Sequence, residues 1–205
     1  MPRKEKYTKN EILDIAFQLL RTEGQSNLTV RSIASKLQTT VIPIYSKFEN
    51  MDTLNKALAW KSADLLIEYQ QRDYYEGSIN YWVNSGMGYL IFAREEKNLF
   101  RQMFFNNFDF LSKEILDYIL ARNIEMMKQR LPFKHFEQDE DKIFLQKHWF
   151  YVHGIASLIV VDAINDVSND ELLRLLYLNE NHLGCTHCHH EKCNHLKKGK
   201  DEQNE

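Results

Sequence analysis

The chain has 205 residues, enough for one large domain or two small ones. Its 7 glycines and 3 prolines are too few for the regularly spaced turns of an all-β protein. The net charge of −3 divides into +3 for residues 1–50, with eight basic and five acidic side chains, and −6 for the remainder. A mildly basic head on an acidic body favours a head that contacts phosphate, although ordinary variation also produces such a segment.

Neither a targeting segment nor a membrane span is predicted. Residues 1–11 are too polar for a signal peptide. The most apolar stretch, Gly154 to Ile164, contains Asp162 and is too short to cross a bilayer. We therefore expect a cytoplasmic protein. All three cysteines lie between 185 and 193, so we expect no disulfide framework in the core.

The first fifty residues predict three short helices with a tight turn between the second and the third. Thr8 and Glu11 have the spacing of a capping box, and Gly24 is placed to end the helix that begins there. Thr29 is expected to cap the second helix. Helices in this order, with such a turn, are typical of a helix-turn-helix unit.

The third helix is predicted to be short and to present side chains to a groove. Thr40 is expected to cap a helix from Val41 to Phe48, with Pro43 in its first turn, where a missing N–H costs least. Ile44 and Phe48 are four residues apart and can pack inward together. Several other side chains of this helix have nothing to bury against.

The rest of the chain predicts an all-α body. Asn50 is expected to cap a fourth helix that runs to about Arg72. Ser168 and Glu171 have the spacing of another capping box. From the spacing of apolar residues, body helices are expected near 78–96, 98–106, 109–130, 140–165 and 168–181.

Residues 12–24, 28–37 and 40–54 resemble the DNA-binding head of the TetR family of transcriptional regulators. Residues 93–104 and 153–159 are similar to stretches of TetR-family ligand domains. The resemblance implies an all-α fold with an N-terminal three-helix helix-turn-helix head on an antiparallel helical bundle body. The positions that match the pattern of the head are Ala16, Leu19, Gly24, Thr29, Ile33, Ala34, Ile44, Tyr45, Phe48, Asn50 and Leu54.

The resemblance also implies a division of labour along the chain. Residues 1–54 would form the DNA-binding domain, residues 55–181 the ligand-binding and dimerisation domain, and residues 182–205 a Cys/His-rich tail. The implied function is that of a transcriptional repressor. It would bind a palindromic double-stranded operator as a homodimer and be released by an effector, here an apolar small molecule.

The second and third helices carry the DNA contacts that the resemblance implies. Hydroxyl groups can hydrogen-bond phosphate, a lysine can neutralise it, apolar side chains can touch thymine methyls, and Arg31 can pair with guanine. The alternatives are that Tyr45 packs on the core of the head and that Lys47 is a solvated charge. The predicted contacts are Thr29, Arg31, Thr40, Val41, Ile42, Pro43, Tyr45, Ser46 and Lys47.

The last two body helices are the dimer interface that the resemblance implies, with simple core packing as the alternative for each residue. The apolar residues assigned to that interface are Ile155, Leu158, Ile159, Leu172, Leu175 and Leu176.

Aromatic residues are abundant in the body, and an aromatic-lined pocket would suit an apolar effector. The predicted ligand contacts are Phe92, Phe104, Trp149 and His153. A well-filled core is the alternative for any of them, and His153 is equally interpretable as a core histidine with a satisfied hydrogen bond.

The tail is rich in metal ligands, since residues 182–195 hold all three cysteines and five of the eight histidines. Cys185, Cys188, Cys193 and His195 could form a tetrahedral site that suits zinc. A flexible polar tail, metal storage and redox chemistry at Cys185 and Cys188 are the alternatives.

Three other functions compete with the small-molecule repressor. A zinc-responsive regulator would use the tail. An adaptor that binds a protein partner and not DNA is favoured by Gln38 and Met51, which differ from the usual residues of the family. An enzyme is disfavoured, because the sequence has no P-loop, no Rossmann glycine pattern and no zinc-hydrolase or deaminase motif.

Overall fold

A computed structural model of the protein describes residues 7–74, 81–105, 113–130 and 139–182, and these ranges contain helices and turns but no strands. The all-α prediction is therefore confirmed for the described part of the chain. A short 3-10 turn, Gln25–Asn27, follows the first helix. The α-helices are α1 (Lys9–Glu23), α2 (Val30–Lys36), α3 (Ile42–Lys47), α4 (Met51–Gln71), α5 (Tyr81–Glu95), α6 (Lys97–Phe104), α7 (Lys113–Arg130), α8 (Asp139–Val160) and α9 (Asn169–His182).

None of the described helices combines the length and the apolar character that crossing a membrane requires.

Four helices begin at the caps that the sequence predicts. The side-chain oxygens of Thr8, Thr29, Asn50 and Ser168 each accept a hydrogen bond from the backbone N–H three residues later, at 3.2, 3.0, 2.8 and 3.2 Å. At Thr8 the box is closed by Glu11, whose carboxylate accepts from the Thr8 N–H at 2.7 Å. These local hydrogen bonds satisfy N–H groups that have no partner inside the helix.

The predicted cap at Thr40 is wrong. Helix α3 begins at Ile42, its N-cap is Val41, and no side chain caps it. The turn that precedes α3 passes through Gln38, which has a left-handed φ of 52°. This turn delays the start of the helix by one residue, so the Thr40 hydroxyl lies one residue before the N-cap.

Helix α8 ends earlier than the expected range of 140–165, because the chain reverses in a turn after Val160. Asp162 and Asp166 adopt left-handed φ angles of 61° and 56° in this turn, and Asp tolerates that conformation better than most residues. The Asp162 carboxylate also forms an ion pair with Lys97 of α6, which holds the turn against the body.

The head is a small core built on α1, which contacts both α2 and α3. Its inner faces are apolar at helical spacing, as the sequence predicts. The buried side chains of these three helices and the residues that follow them are Ile12, Ala16, Phe17, Leu19, Leu20, Leu28, Ile33, Ala34, Ile44 and Phe48.

Helix α5 lies at the centre of the body and is buried continuously from Val83 to Ala93. It contacts α4, α6, α8 and α9. Its closest approach is to α4, where a Cβ added at Gly88 would lie 2.6 Å from Gln70 Cα and 2.7 Å from Gln70 N. Glycine is therefore required at position 88 for the two backbones to meet.

Arg21 of α1 connects the head to the body through Glu96, which lies between α5 and α6. Arg21 Nε donates to Glu96 Oε2 at 2.6 Å, and its Nη2 pairs with Oε1. The Glu96 side chain is only 3% exposed and also accepts from the Tyr69 hydroxyl at 3.2 Å. Asn98 Nδ2 donates to the Arg21 carbonyl oxygen at 3.0 Å. The end of α1 is thus bound to the start of α6 by both a charge pair and a backbone contact.

Replacing Gln38 with glycine should stabilise the protein. The left-handed conformation costs a residue with a Cβ about 1–2 kcal/mol, whereas glycine loses about 0.5–1 kcal/mol through its greater freedom in the unfolded chain. The balance raises the free energy of unfolding by about 0.5–1 kcal/mol, measurable by urea denaturation. Gln38→Ala is the control, since it keeps the Cβ; equal stability of the two variants would contradict the prediction.

Replacing Arg21 with methionine should destabilise the protein, because it leaves the buried Glu96 carboxylate with only the Tyr69 hydroxyl among the partners described above. We expect the free energy of unfolding to fall by about 1–3 kcal/mol, below the range for a fully buried pair because Arg21 is partly exposed. Lys61→Met, which breaks the exposed pair with Asp14, should cost no more than about 0.5 kcal/mol. Similar losses in the two variants would show that the Glu96 link contributes little.

Candidate functional site

Helix α3 is held to the head by one face and leaves the other bare. Ile44 and Phe48 are buried and attach α3 to α1. On the outer face the side chains of Ile42 and Tyr45 are 73% and 51% exposed. Half or more of each side chain is therefore left in solvent and available for another contact.

The nine residues predicted to contact DNA are all exposed or partly exposed. Ser46 donates its hydroxyl proton to the Pro43 carbonyl oxygen at 2.7 Å, so that proton is already used within the helix. The Thr29 hydroxyl oxygen caps α2. Exposed positions are Thr29, Arg31, Thr40, Ile42, Tyr45 and Ser46, and partly exposed ones are Val41, Pro43 and Lys47.

A cavity of about 240 Å³ lies within the body, between α4, α5, α7 and α8. Four of the residues that line it, Asp117, Leu120, Gln146 and Phe150, are exposed. Its wall is mainly aromatic and aliphatic, which suits an apolar ligand. The apolar wall consists of Trp82, Tyr89, Phe104, Leu116, Ile119, Leu120, Trp149, Phe150 and Val152.

Two of the four predicted ligand contacts, Phe104 and Trp149, line this cavity. Phe92 instead lies fully buried in the core and packs edge-on against Tyr69 at 5.5 Å. His153 is not in the cavity wall either. The helical spacing of the aromatic residues did not indicate which of them would face the cavity and which the core.

His153 is enclosed by aromatic rings. It stacks on Trp149 and Phe100 at centroid distances of 4.9 and 5.6 Å, and its Nδ1 lies 2.8 Å from the Tyr89 hydroxyl. Burial raises the pKa of Tyr89 and lowers the pKa of His153. Burial therefore favours the neutral form of both groups, which share one hydrogen bond.

Three polar residues of the cavity wall are hydrogen-bonded to one another. Gln70 Nε2 donates to Ser85 Oγ at 3.2 Å, Ser85 Oγ donates to Asn123 Oδ1 at 3.1 Å, and Asn123 Nδ2 donates to Gln70 Oε1 at 3.1 Å. This closed ring satisfies much of the polar capacity of α4, α5 and α7 where they face the cavity.

His148 is the functional candidate that the sequence reasoning missed. It lines the cavity and is only 7% exposed, and both ring nitrogens are buried without a hydrogen bond of regular geometry to the described residues. Burial lowers the pKa of His148 to about 4, although the nearby Trp82 backbone favours the protonated ring. The imidazole is therefore neutral at pH 7. Nothing in its sequence neighbourhood distinguishes it from a core residue.

Helix α8 and the residue that follows it carry a stripe of exposed residues at spacings of seven, four, four and three: Ile143, Phe150, Gly154, Leu158 and Val161. Phe150 and Leu158 are 62% and 46% exposed. Nothing lies within 4 Å of a Cβ added at Gly154, so another backbone could approach there. We call these five residues the α8 stripe.

The six apolar residues predicted to form a dimer interface divide into two groups. Ile159, Leu172 and Leu176 are buried, so within the single chain they belong to the core. Leu158 is exposed, and Ile155 and Leu175 are partly exposed. Only the second group has surface left with which to contact a second copy.

The predicted zinc ligands Cys185, Cys188, Cys193 and His195 lie outside the described residues, and the zinc site stays a prediction. Within the described ranges, no group of three or more His, Cys, Asp or Glu side chains is arranged to hold a metal ion.

No protein-family model matches the chain, and no curated protein matches its sequence. The fold, however, is similar to the crystal structure of a TetR-like transcriptional regulator from Rhodococcus sp. RHA1. The two share 15% sequence identity with a TM-score of 0.53, over 88% of this chain and 98% of the other. That neighbour is described as a transcriptional regulator. The helical head and body of this protein thus have the TetR-like fold.

Proposed function

We propose that the protein is a transcriptional repressor that binds a palindromic operator as a homodimer. An apolar small molecule in the body cavity would release it from DNA. The observation that carries the proposal is the bare outer face of α2 and α3, presented by a head that is joined to a body with an aromatic cavity. The TetR-like fold supports the same function.

The exposed face has the chemistry that duplex DNA requires. The Tyr45 hydroxyl can donate to phosphate, and Arg31 can pair with phosphate or with a guanine edge. Ile42 can cover a thymine methyl, which would give its exposed side chain an apolar partner.

The α8 stripe supports the homodimer. Its exposed apolar side chains follow one side of α8 at the spacing by which two helices pack. Gly154 lies within it and permits a close approach of the partner helix. A two-fold axis beside α8 would make the stripe its own complement, as an isologous interface requires. The exposed Lys147 lies on the same side of the helix and would be expected at the rim.

Helix α6 supplies a route from the cavity to the head. Its last residue, Phe104, lines the cavity. Glu96, the residue just before its first turn, accepts a hydrogen bond from Arg21 of α1. Asn98, the second residue of α6, donates a hydrogen bond to the Arg21 carbonyl oxygen. A ligand that moves Phe104 would therefore change the position of α1 relative to the body. Such a ligand alters DNA affinity only if it binds one arrangement of α6 more tightly than the other.

DNA binding is tested by fluorescence anisotropy of the purified full chain on DNA from upstream of its own gene, over a series of salt concentrations. A specific site should give a linear fall of log affinity with log salt. The same titration is repeated with added zinc and with a chelator. A DNA affinity that differs several-fold between these two conditions would instead favour the tail as the sensor. Absence of any specific, salt-dependent binding would favour the adaptor.

Replacing Arg31 with alanine should weaken specific binding by about 1–3 kcal/mol, or roughly 5- to 150-fold, because one contact to a base or phosphate is lost. Lys113→Ala is the matched control: it removes one exposed positive charge on α7, away from the head, and should leave affinity nearly unchanged. Equal effects of the two variants would show that only overall charge matters, which would contradict a contact at Arg31.

Replacing Leu158 with glutamate should dissociate the dimer, because a two-fold interface would bury two facing carboxylates. The dimer dissociation constant should rise at least about 30-fold, corresponding to the 2 kcal/mol of an interface hot spot. Sedimentation velocity at micromolar concentration measures this. Ile42→Glu places the same charge on the outer face of α3 and should leave the dimer intact. An unchanged oligomeric state in Leu158→Glu would exclude the α8 stripe as the interface.

A further inference from the structure

Most of the positive charge of the head lies before its first helix. Residues 1–6, which lie outside the described part of the chain, carry three basic side chains and one acidic one, a balance of +2. Residues 7–50 hold five basic and four acidic side chains, so they contribute only +1 to the total of +3. Because phosphate neutralisation is the main source of sequence-independent affinity for DNA, the place where this segment joins the head matters. Its basic residues are Arg3, Lys4 and Lys6.

Tyr7 shows where this segment joins the head. Its hydroxyl donates a hydrogen bond of 2.6 Å to the carbonyl oxygen of Leu37, the residue that ends α2. The Tyr7 side chain is half-buried and packs against the hydrophobic core. The residues that precede Tyr7 therefore enter the head beside the turn that leads from α2 to α3.

Lys9, the first residue of α1, lies near the other end of α3. Its Nζ is 5.2 Å from the centroid of the ring of Phe48, the residue that ends α3. Lys9 is exposed, so α1 also brings a positive charge to this part of the surface. The contacts of Tyr7 and Lys9 thus place the beginning of α1 alongside α3, with one contact near each end of that helix. A segment that leads into Tyr7 adjoins the helix that is proposed to enter the major groove.

The segment is long enough to reach DNA beyond α3 itself. Six extended residues span at most about 20 Å. The major groove is about 12 Å wide, and half a turn of B-DNA, the separation between a major groove and the neighbouring minor groove, is about 17 Å. Basic side chains in this segment can therefore reach the phosphates that flank the groove in which α3 lies.

We propose that Arg3, Lys4 and Lys6 form a basic arm that binds the phosphates of double-stranded DNA beside the groove that α3 enters, and that Tyr7 positions this arm. The inference rests on the proposed function and deepens it, since it adds a second element to the DNA interface. Contacts to phosphate carry no direct sequence information. The arm would therefore raise the affinity for any duplex, while α2 and α3 would select the operator.

Two double variants of the full chain test the arm: Lys4→Gln with Lys6→Gln, and Lys113→Gln with Lys128→Gln as the control. Both remove two positive charges, but the control charges are exposed on α7. Fluorescence anisotropy is measured over a salt series on the upstream fragment and on a scrambled duplex of the same composition. In the arm variant the slope of log affinity against log salt should become shallower by about 2 for each bound arm, and affinity at 0.1 M salt should fall on the order of 10- to 100-fold on both duplexes. Equal slopes in the two double variants would overturn the proposal.

Tyr7→Phe tests the positioning role, because it keeps the ring and removes the hydroxyl that binds the Leu37 carbonyl oxygen. In the otherwise unaltered chain this change should weaken DNA binding by roughly two- to fivefold, since the arm is no longer held in advance beside α3. In the Lys4→Gln, Lys6→Gln variant the same change should have little further effect. An equal loss in both backgrounds would show that Tyr7 only supports the fold of the head, and would reject its positioning role.

The arm and the proposed repressor fail in different ways. Specific binding to the upstream fragment with an unchanged salt slope in the arm variant would keep the operator reader and reject the arm. Equal affinity of the unaltered chain for the two duplexes, with a slope that becomes shallower in the arm variant, would support the arm and count against a specific operator in that fragment. An unaltered chain that binds neither duplex at low salt would reject both.

Discussion

The close approach of α4 and α5 at Gly88 is the constraint on which both candidate sites depend. With glycine there, the Tyr69 and Gln70 segment of α4 lies directly against α5. Tyr69 can then reach Glu95 and Glu96 at the end of α5, at 2.9 and 3.2 Å, beside the guanidinium of Arg21. Gln70, the next residue, reaches Ser85 in the cavity wall. The head connection and the polar side of the cavity thus arise from one packing contact, and a side chain at Gly88 would disturb both.

Helix α6 converts that packing into a connection between the two sites. Its N-terminal end carries contacts to α1, and its C-terminal end carries Phe104 at the cavity. Between them, Arg101 donates to the Val160 carbonyl oxygen at 2.6 Å, which ties the same helix to the end of α8. An eight-residue helix held at three places has little freedom to bend. A displacement of one end of α6 would therefore move the entire helix. The proposed release from DNA uses this rigidity.

Short-range patterns explain most of what the sequence predicts correctly. Capping at Thr8, Thr29, Asn50 and Ser168 depends on residues three positions apart, so each helix start can be inferred without knowledge of the fold. Thr40 fails because the conformation of the preceding turn, with its left-handed Gln38, decides where α3 begins. The cavity is harder still. Phe92 and Phe104 are both aromatic residues of amphipathic helices, and packing against other helices determines that Phe92 lies in the core while Phe104 lines the cavity.

Phe150 joins the cavity to the proposed dimer, because it belongs to the cavity wall and to the α8 stripe. A partner helix on the stripe would cover the exposed side of this ring, while a ligand would contact the side that faces the cavity. Because the Phe150 ring is 62% exposed and also lines the cavity, a ligand that displaced it would alter the surface offered to the partner. Ligand binding would then change the affinity of the two subunits for each other, and dimerisation would change the affinity for the ligand by the same factor. This coupling acts through α8, separately from the α6 route to the head, and would change the distance between two heads even if each head stayed fixed to its own body.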